Sequence, residues 1–186
     1  ARVIARVRPH TVAQAVRTML VYSENNIAEQ LFRHLAIATG HEPSWAGAVA
    51  AAKDRMSSLG IPLRGVSLRD GSGLSSGDRL TARTLTLALR LLVDGRHPAL
   101  APLIDSLPVA GRTGTLASRF WSTSSVCAVG KVLAKTGSLT GVQTLAGLTR
   151  GADGNWKVFA LMANDLYGDA RPVLDEMAAE INGCWS

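Results

Sequence analysis

Apolar residues recur at helical spacing through the first half of the chain. Thr11-Val12-Ala13-Gln14 reads as a capping box, and Val12, Ala15, Val16, Met19 and Leu20 follow as one stripe. A second helix is predicted from about Ser23, with Ile27, Leu31, Leu35 and Ala38 on one face and Gly40 as its stop. A third runs from Ser44, after Pro43, through Val49, Ala52, Met56 and Leu59 to Gly60 and Pro62. The turn-rich run Asp70-Gly71-Ser72-Gly73-Leu74-Ser75-Ser76-Gly77 interrupts the helices. Thr81 then caps a helix bearing Leu85, Leu89 and Leu92 and closed by Gly95, and a short helix is expected over 98–106.

The last third changes period. Residues 129–136, 144–150 and 156–163 read as strands, with the tight-turn pair Asp153-Gly154 between the last two. Short links imply an antiparallel meander. A final amphipathic helix carries Val173, Leu174, Met177 and Ile181. Helices, then an antiparallel sheet, then a covering helix make an α+β fold. Trp45, Trp121, Trp156 and Trp185 are scattered and are expected in the core.

A length of 186 residues with 47% apolar and 18% charged positions suits one folded domain and argues against disorder. No apolar run reaches the roughly 20 residues that span a bilayer, and residues 1–6 lack a signal-peptide pattern. The net charge of +6 comes mostly from arginine. The arginines are scattered, so nucleic-acid binding has little support. They form either a solvated basic surface or one attracted to anionic envelope polymers. Cys127 and Cys184 show no Cys-x-x-Cys pattern. They are either one disulfide of an oxidising compartment or two unrelated buried thiols. His10, His34, His41 and His97 lack metal-ligand spacing, His34 is expected on a polar helix face, and no phosphate-binding glycine loop occurs, so neither metal nor cofactor is expected.

The candidate chemistry lies at Lys135, on a predicted strand and followed by Thr136, Gly137 and Ser138. A lysine on an edge strand can serve only to discourage aggregation. Here Gly137 would let a ligand backbone come close, and Thr136 and Ser138 alternate to one strand face. Two hydroxyls beside an ammonium suit a peptide carboxylate. Upstream, Ser23-Glu24-Asn25 is either a helix cap, with Asn26 and Glu29 in the first turn, or a cleft wall. In the second reading Ser23 shuttles a proton and Asn25 holds a substrate amide. A nucleophilic Ser-x-x-Lys is missing. Lys53, Lys131, Lys135 and Lys157 are preceded three residues earlier by Ala50, Ala128, Val132 and Gly154.

These motifs, in this order, resemble the C-terminal part of the low-molecular-mass class C penicillin-binding proteins, the D-alanyl-D-alanine carboxypeptidase/endopeptidases. The resemblance spans nearly the whole chain. It includes Ser23-Glu24-Asn25-Asn26-Ile27-Ala28-Glu29, Asp70-Gly71-Ser72-Gly73-Leu74-Ser75 and Ser106-Leu107-Pro108-Val109-Ala110-Gly111. It continues through Gly114-Thr115-Leu116, Arg119-Phe120 and Ala134-Lys135-Thr136-Gly137-Ser138-Leu139-Thr140-Gly141. Glu24 stands where the family usually has Asp. The resemblance implies a penicillin-binding/serine β-lactamase-like transpeptidase fold in an extracytoplasmic protein. Residues 1–186 would form the C-terminal portion of its catalytic domain, with the nucleophile and any inserted domains on an N-terminal portion of the same protein. It implies a serine acyl-enzyme mechanism on peptidoglycan stem peptides and on β-lactams. Lys135 and Ser23 would be catalytic, and Asn25, Thr136, Gly137 and Ser138 would bind substrate, with the Ser138 N–H as an oxyanion donor. A β-lactamase-type hydrolase of the same superfamily and a non-catalytic envelope-binding homologue are the competing expectations. The 70–75 and 106–111 motifs favour the carboxypeptidase.

Overall fold

Helix starts follow their capping chemistry. In the computed structural model, which describes residues 10–184, Thr11 and Gln14 form the capping box of α1 (Val12–Tyr22). Ser44 accepts from the Gly47 N–H at the head of α3 (Trp45–Ser58), and α2 (Asn25–Ala38) lies between them. Thr81 accepts from the Thr84 N–H to start α4 (Ala82–Arg90). The expected Leu92 lies beyond α4, in the turn that follows. Residues 1–6, read for a targeting signal, and Trp185 lie outside the described residues.

Pro98–Ser106 is a 3₁₀ helix with Pro102 inside it. A proline ring has no N–H to donate and crowds the preceding turn, which disfavours a regular α-helix.

Three antiparallel strands follow in the order β1 (Val132–Leu139), β2 (Val142–Arg150) and β3 (Trp156–Ala163). The first strand starts three residues later than its pattern suggests, because Val126–Ala128 forms a 3₁₀ turn and Gly130 takes a left-handed φ of 77°. Lys135 pairs with Ala146, and Ala146 with Ala160. Val132, Ala134, Leu145 and Phe159 share one sheet face. There they join Leu116, Phe120, Ala128, and Leu174, Ala178 and Ala179 of α5 (Arg171–Asn182) in the main core. A smaller core holds Ala36, Ala48 and Ala51 between α2 and α3, with Phe32 and Leu35 against it.

The strand edge of β1 is half closed. Val109 bridges Leu133, with Ala110 donating to the Val132 carbonyl at 2.9 Å and Ala134 to the Pro108 carbonyl at 3.0 Å. Beyond Ala134 the edge is open among the described residues.

Two further fixtures hold α5. Cys127 and Cys184 form a disulfide, with Cα atoms 6.0 Å apart, and this resolves the two readings of the cysteines. Arg119 donates to both carboxylate oxygens of Asp175, at 2.6 and 3.2 Å, and the Phe120 N–H donates to the same carboxylate at 3.3 Å.

Trp45, Trp121 and Trp156 are not core residues. Trp45 and Trp121 are about half exposed, and Trp156 lies under the Arg150 guanidinium. The Arg33 guanidinium likewise stands 5.5 Å from the Trp45 ring centroid, and a ring face that attracts a cation is satisfied at the surface. His34 is exposed, as expected of a polar helix face. Among the described residues no cluster of metal-ligating side chains occurs, and no helix is long and apolar enough to cross a membrane.

Candidate active site

Ser23 closes α1 instead of heading α2, which corrects the sequence reading. Its backbone takes the left-handed conformation (φ 58°, ψ 48°), and both its N–H and that of Glu24 turn back onto the Met19 carbonyl. Glu24 is the N-cap of α2 and makes no side-chain cap bond. A serine before Glu-Asn has the composition of a helix start, but the two amides converging on Met19 end the first helix there. A non-glycine residue in this region costs roughly 1–2 kcal/mol. The cost is carried where the chain reverses sharply and presents the Ser23 hydroxyl to β1.

Lys135 donates from Nζ to Ser23 Oγ at 2.8 Å, across 112 residues of sequence. It also donates to the Thr136 carbonyl at 2.6 Å. An ammonium has three donors, and among the described residues the third meets no protein group. No carboxylate pairs with Lys135 among those residues either. Burial without a compensating anion pushes its pKa down from 10.5 to about 8.

The shifted lysine makes stability depend on pH with a definite sign. Below pH 8 the lysine is charged in both states, and its desolvation cost is fully present. Between 8 and 10.5 the unfolded chain binds more protons than the folded one, so stability rises with pH, by roughly 3 kcal/mol in total. Urea unfolding of this chain at pH 7.5 and 10.5 should show that rise, and Lys135→Met should abolish it. Equal pH dependence in the two proteins would mean that the ammonium is not desolvated.

The 133-to-109 bridge fixes which backbone groups face outward. Val132 and Ala134 point theirs to the outer edge, so by alternation Thr136 and Ser138 do the same. The edge therefore presents the N–H of Thr136 and both backbone groups of exposed Ser138, beside the ammonium. Gly137 alternates to the other face. A Cβ there would run into Thr144 Oγ1 on β2, so packing against the next strand already demands a glycine. The Thr136 hydroxyl donates to Thr115 Oγ1 at 2.9 Å.

Asn25, the first residue of α2, is exposed and makes no side-chain bond among the described residues. The structure thus brings Ser23, Lys135 and Thr136 into direct contact, with Gly137 and Ser138 next along the strand. It leaves Asn25 free beside them.

Comparisons with known proteins agree with this architecture. Residues 1–181 match the D-Ala-D-Ala carboxypeptidase 3 (S13) family. The chain belongs to that family. It is 40% identical to a protein named carboxypeptidase DacB of Mycolicibacterium smegmatis, over 97% of this chain and 40% of the relative. It is 34% identical to the D-alanyl-D-alanine carboxypeptidase of Actinomadura sp. (strain R39), over 87% of this chain and 30% of the relative. The crystal structure of penicillin binding protein 4 of Haemophilus influenzae superposes with a TM-score of 0.79 at 29% identity, covering 91% of this chain and 39% of that one. The TLA-1 extended-spectrum β-lactamase shares the fold, with a TM-score of 0.63 at 15% identity over 94% of this chain and 62% of that one. The S13 chain spans about 40% of the length of the curated relative first named.

Four residues of the S13 chain escaped the sequence reading of the site. Glu29 accepts from the Gly71 and Ser72 N–H groups at 3.1 and 2.9 Å, and Asp70 accepts from Gly73 and Ser75, both at 2.7 Å. Together they turn the 70–75 run into a fixed loop docked on α2. Gly114, at φ 57°, lies so close to the Val21 carbonyl that a Cβ would clash. It seats the 113–116 turn against the last turn of α1. Thr115 is the fourth, and no local signal in its Gly114-Thr115-Leu116 motif marks a partner on β1.

Proposed function

We propose that this chain forms one wall of the active site of a serine-type D-alanyl-D-alanine carboxypeptidase/endopeptidase acting on peptidoglycan stem peptides. The observation that carries the reading is the bond from Lys135 Nζ to Ser23 Oγ beside the open edge of β1. The nucleophilic serine and its lysine belong to a Ser-x-x-Lys element on an N-terminal portion of the same protein.

An extended peptide adds to the free edge through main-chain hydrogen bonds. The serine Oγ attacks the carbonyl of the penultimate D-Ala. A C–O bond forms, the C–N bond to the terminal D-Ala breaks, and the leaving amine gains a proton. Ser23 suits that transfer because a hydroxyl can give one proton while taking another. Lys135, with its pKa lowered to about 8, sits where it can exchange a proton with Ser23 and supply positive potential. The Ser138 N–H stabilises the oxyanion, a contribution of about 3 kcal/mol per donor. Thr136 and Ser138 hold the terminal carboxylate, Gly137 between them lets the strand pack on β2, and Asn25 holds the amide on the acyl side. Water then releases the acyl group. β-Lactams acylate the same serine.

An extracytoplasmic location follows from this substrate, and the Cys127–Cys184 disulfide supports it, because disulfides persist in oxidising compartments.

Fluorescent penicillin tests the reading. The full-length protein should form a covalent adduct on the Ser-x-x-Lys serine, and the 186-residue chain alone should form none. An unlabelled full-length protein would overturn the function. An adduct on the isolated chain would overturn the placement of the nucleophile.

A further inference from the structure

The Thr136 side chain has one protein partner among the described residues, and that partner sits on a closely packed turn. Thr115 sits in the middle of the 3₁₀ turn Gly114–Leu116. On one side Gly114 presses against the Val21 carbonyl, and on the other Leu116 is fully buried in the main core. The Leu116 N–H donates to the Thr113 carbonyl at 3.2 Å, and its carbonyl accepts from Gly111 at 3.0 Å. The Thr115 backbone is therefore set by its neighbours, and among the described residues its hydroxyl bonds only to Thr136, at 2.9 Å.

A hydroxyl has one proton to donate and two lone pairs. In the free site the Thr136 proton is committed to Thr115. To bind a carboxylate, Thr136 must turn that proton toward the ligand. It then loses its partner unless Thr115 donates in return. The Thr115 proton has no other acceptor among the described residues, so a small turn of the Thr115 side chain lets the pair reverse.

We propose that Thr115 is a positioning residue for carboxylate recognition. Its hydroxyl accepts from Thr136 in the free site and donates to Thr136 Oγ1 when a ligand carboxylate accepts the Thr136 proton. The reversed chain polarises the Thr136 hydroxyl and strengthens its bond to the anion. This rests on the carboxylate role given to Thr136 above.

The test uses the full-length protein and two peptides, one ending in D-Ala-D-Ala with a free carboxylate and one with that carboxylate converted to an amide. The readout is the ratio of kcat/KM for acid over amide. Thr115→Val keeps the shape and removes the hydroxyl, and it should lower the ratio about tenfold, mainly through KM for the acid. Thr115→Ser should restore the ratio to within about twofold of wild type. Thr136→Val should lower it at least as far, and the double variant should match Thr136→Val, because the two hydroxyls act as one unit. A variant that merely loosened the fold would lower both rates together and leave the ratio unchanged, which would overturn the proposal. An unchanged ratio in Thr115→Val with a lowered one in Thr136→Val would overturn it while sparing the carboxylate role of Thr136. An unchanged ratio in both variants would remove that role too. A wild-type protein that processes neither peptide and takes no penicillin would instead sink the proposed function.

Discussion

Lys135→Met in the full-length protein should slow acylation by penicillin about 10²- to 10⁴-fold, the range for removing a positioned proton-transfer group. The same variant should be no less stable at neutral pH, since methionine fills a similar volume and carries no charge to desolvate. The two measurements together separate chemistry from folding. Stopped-flow acylation rates report the first and urea unfolding the second. Near-normal acylation would remove Lys135 from the reaction. The physical basis is the arrangement around Nζ, which has two bonds at 2.6 and 2.8 Å, one free donor and a pKa of about 8. An ordinary edge-strand lysine would sit in water and keep its usual pKa.

Asp175→Ala should destabilise the chain by about 3–5 kcal/mol, the range for breaking a buried ion pair by deleting one partner. Both side chains are nearly buried, at 11% for Arg119 and 7% for Asp175. The truncation leaves the guanidinium without an anion and deprives the Phe120 N–H of its acceptor. Phe120 is itself in the left-handed region, at φ 64°, so this acceptor helps to hold an unfavourable backbone state. Replacing Arg119 and Asp175 together by leucine should cost much less, because no charge is then stranded. Thermal unfolding of the two variants decides. Equal losses would show that packing volume, and not the stranded charge, sets the cost.

Much of the fold could be read from the chain because its signals are local. Thr11 with Gln14, Ser44 and Thr81 announce helix starts through a side chain and an amide three residues on. Asp153-Gly154 announces a hairpin in the same way. Reading failed where a tertiary contact overrode a local one. Ser23 has the composition of a cap for the helix that follows it and is instead the C-terminal cap of the helix before. The start of β1 moved to Val132 because the disulfide-linked turn at 126–128 and Gly130 occupy the residues ahead of it.

The candidate site divides the same way. The Lys135 motif was visible as a strand pattern, but its link to Ser23 came from family resemblance, since no periodicity connects residues 112 apart. Thr115 and Glu29 were invisible as site residues for the same reason. Each acts on a group that the fold, and not the sequence, puts beside it.

The short segment paired with the first half of β1 also limits what can bind to the second half. A sheet edge left open along its full length is a template for any other chain, and growth of that kind has no natural end. Here the backbone at 108–110 already occupies the positions opposite 132–134, and proline at 108 brings no N–H to continue the ladder. An incoming strand finds room opposite Thr136 to Ser138 and then meets a wall. The edge therefore behaves as a berth of fixed length. It is closed at one end, and that end sets where an added strand must stop.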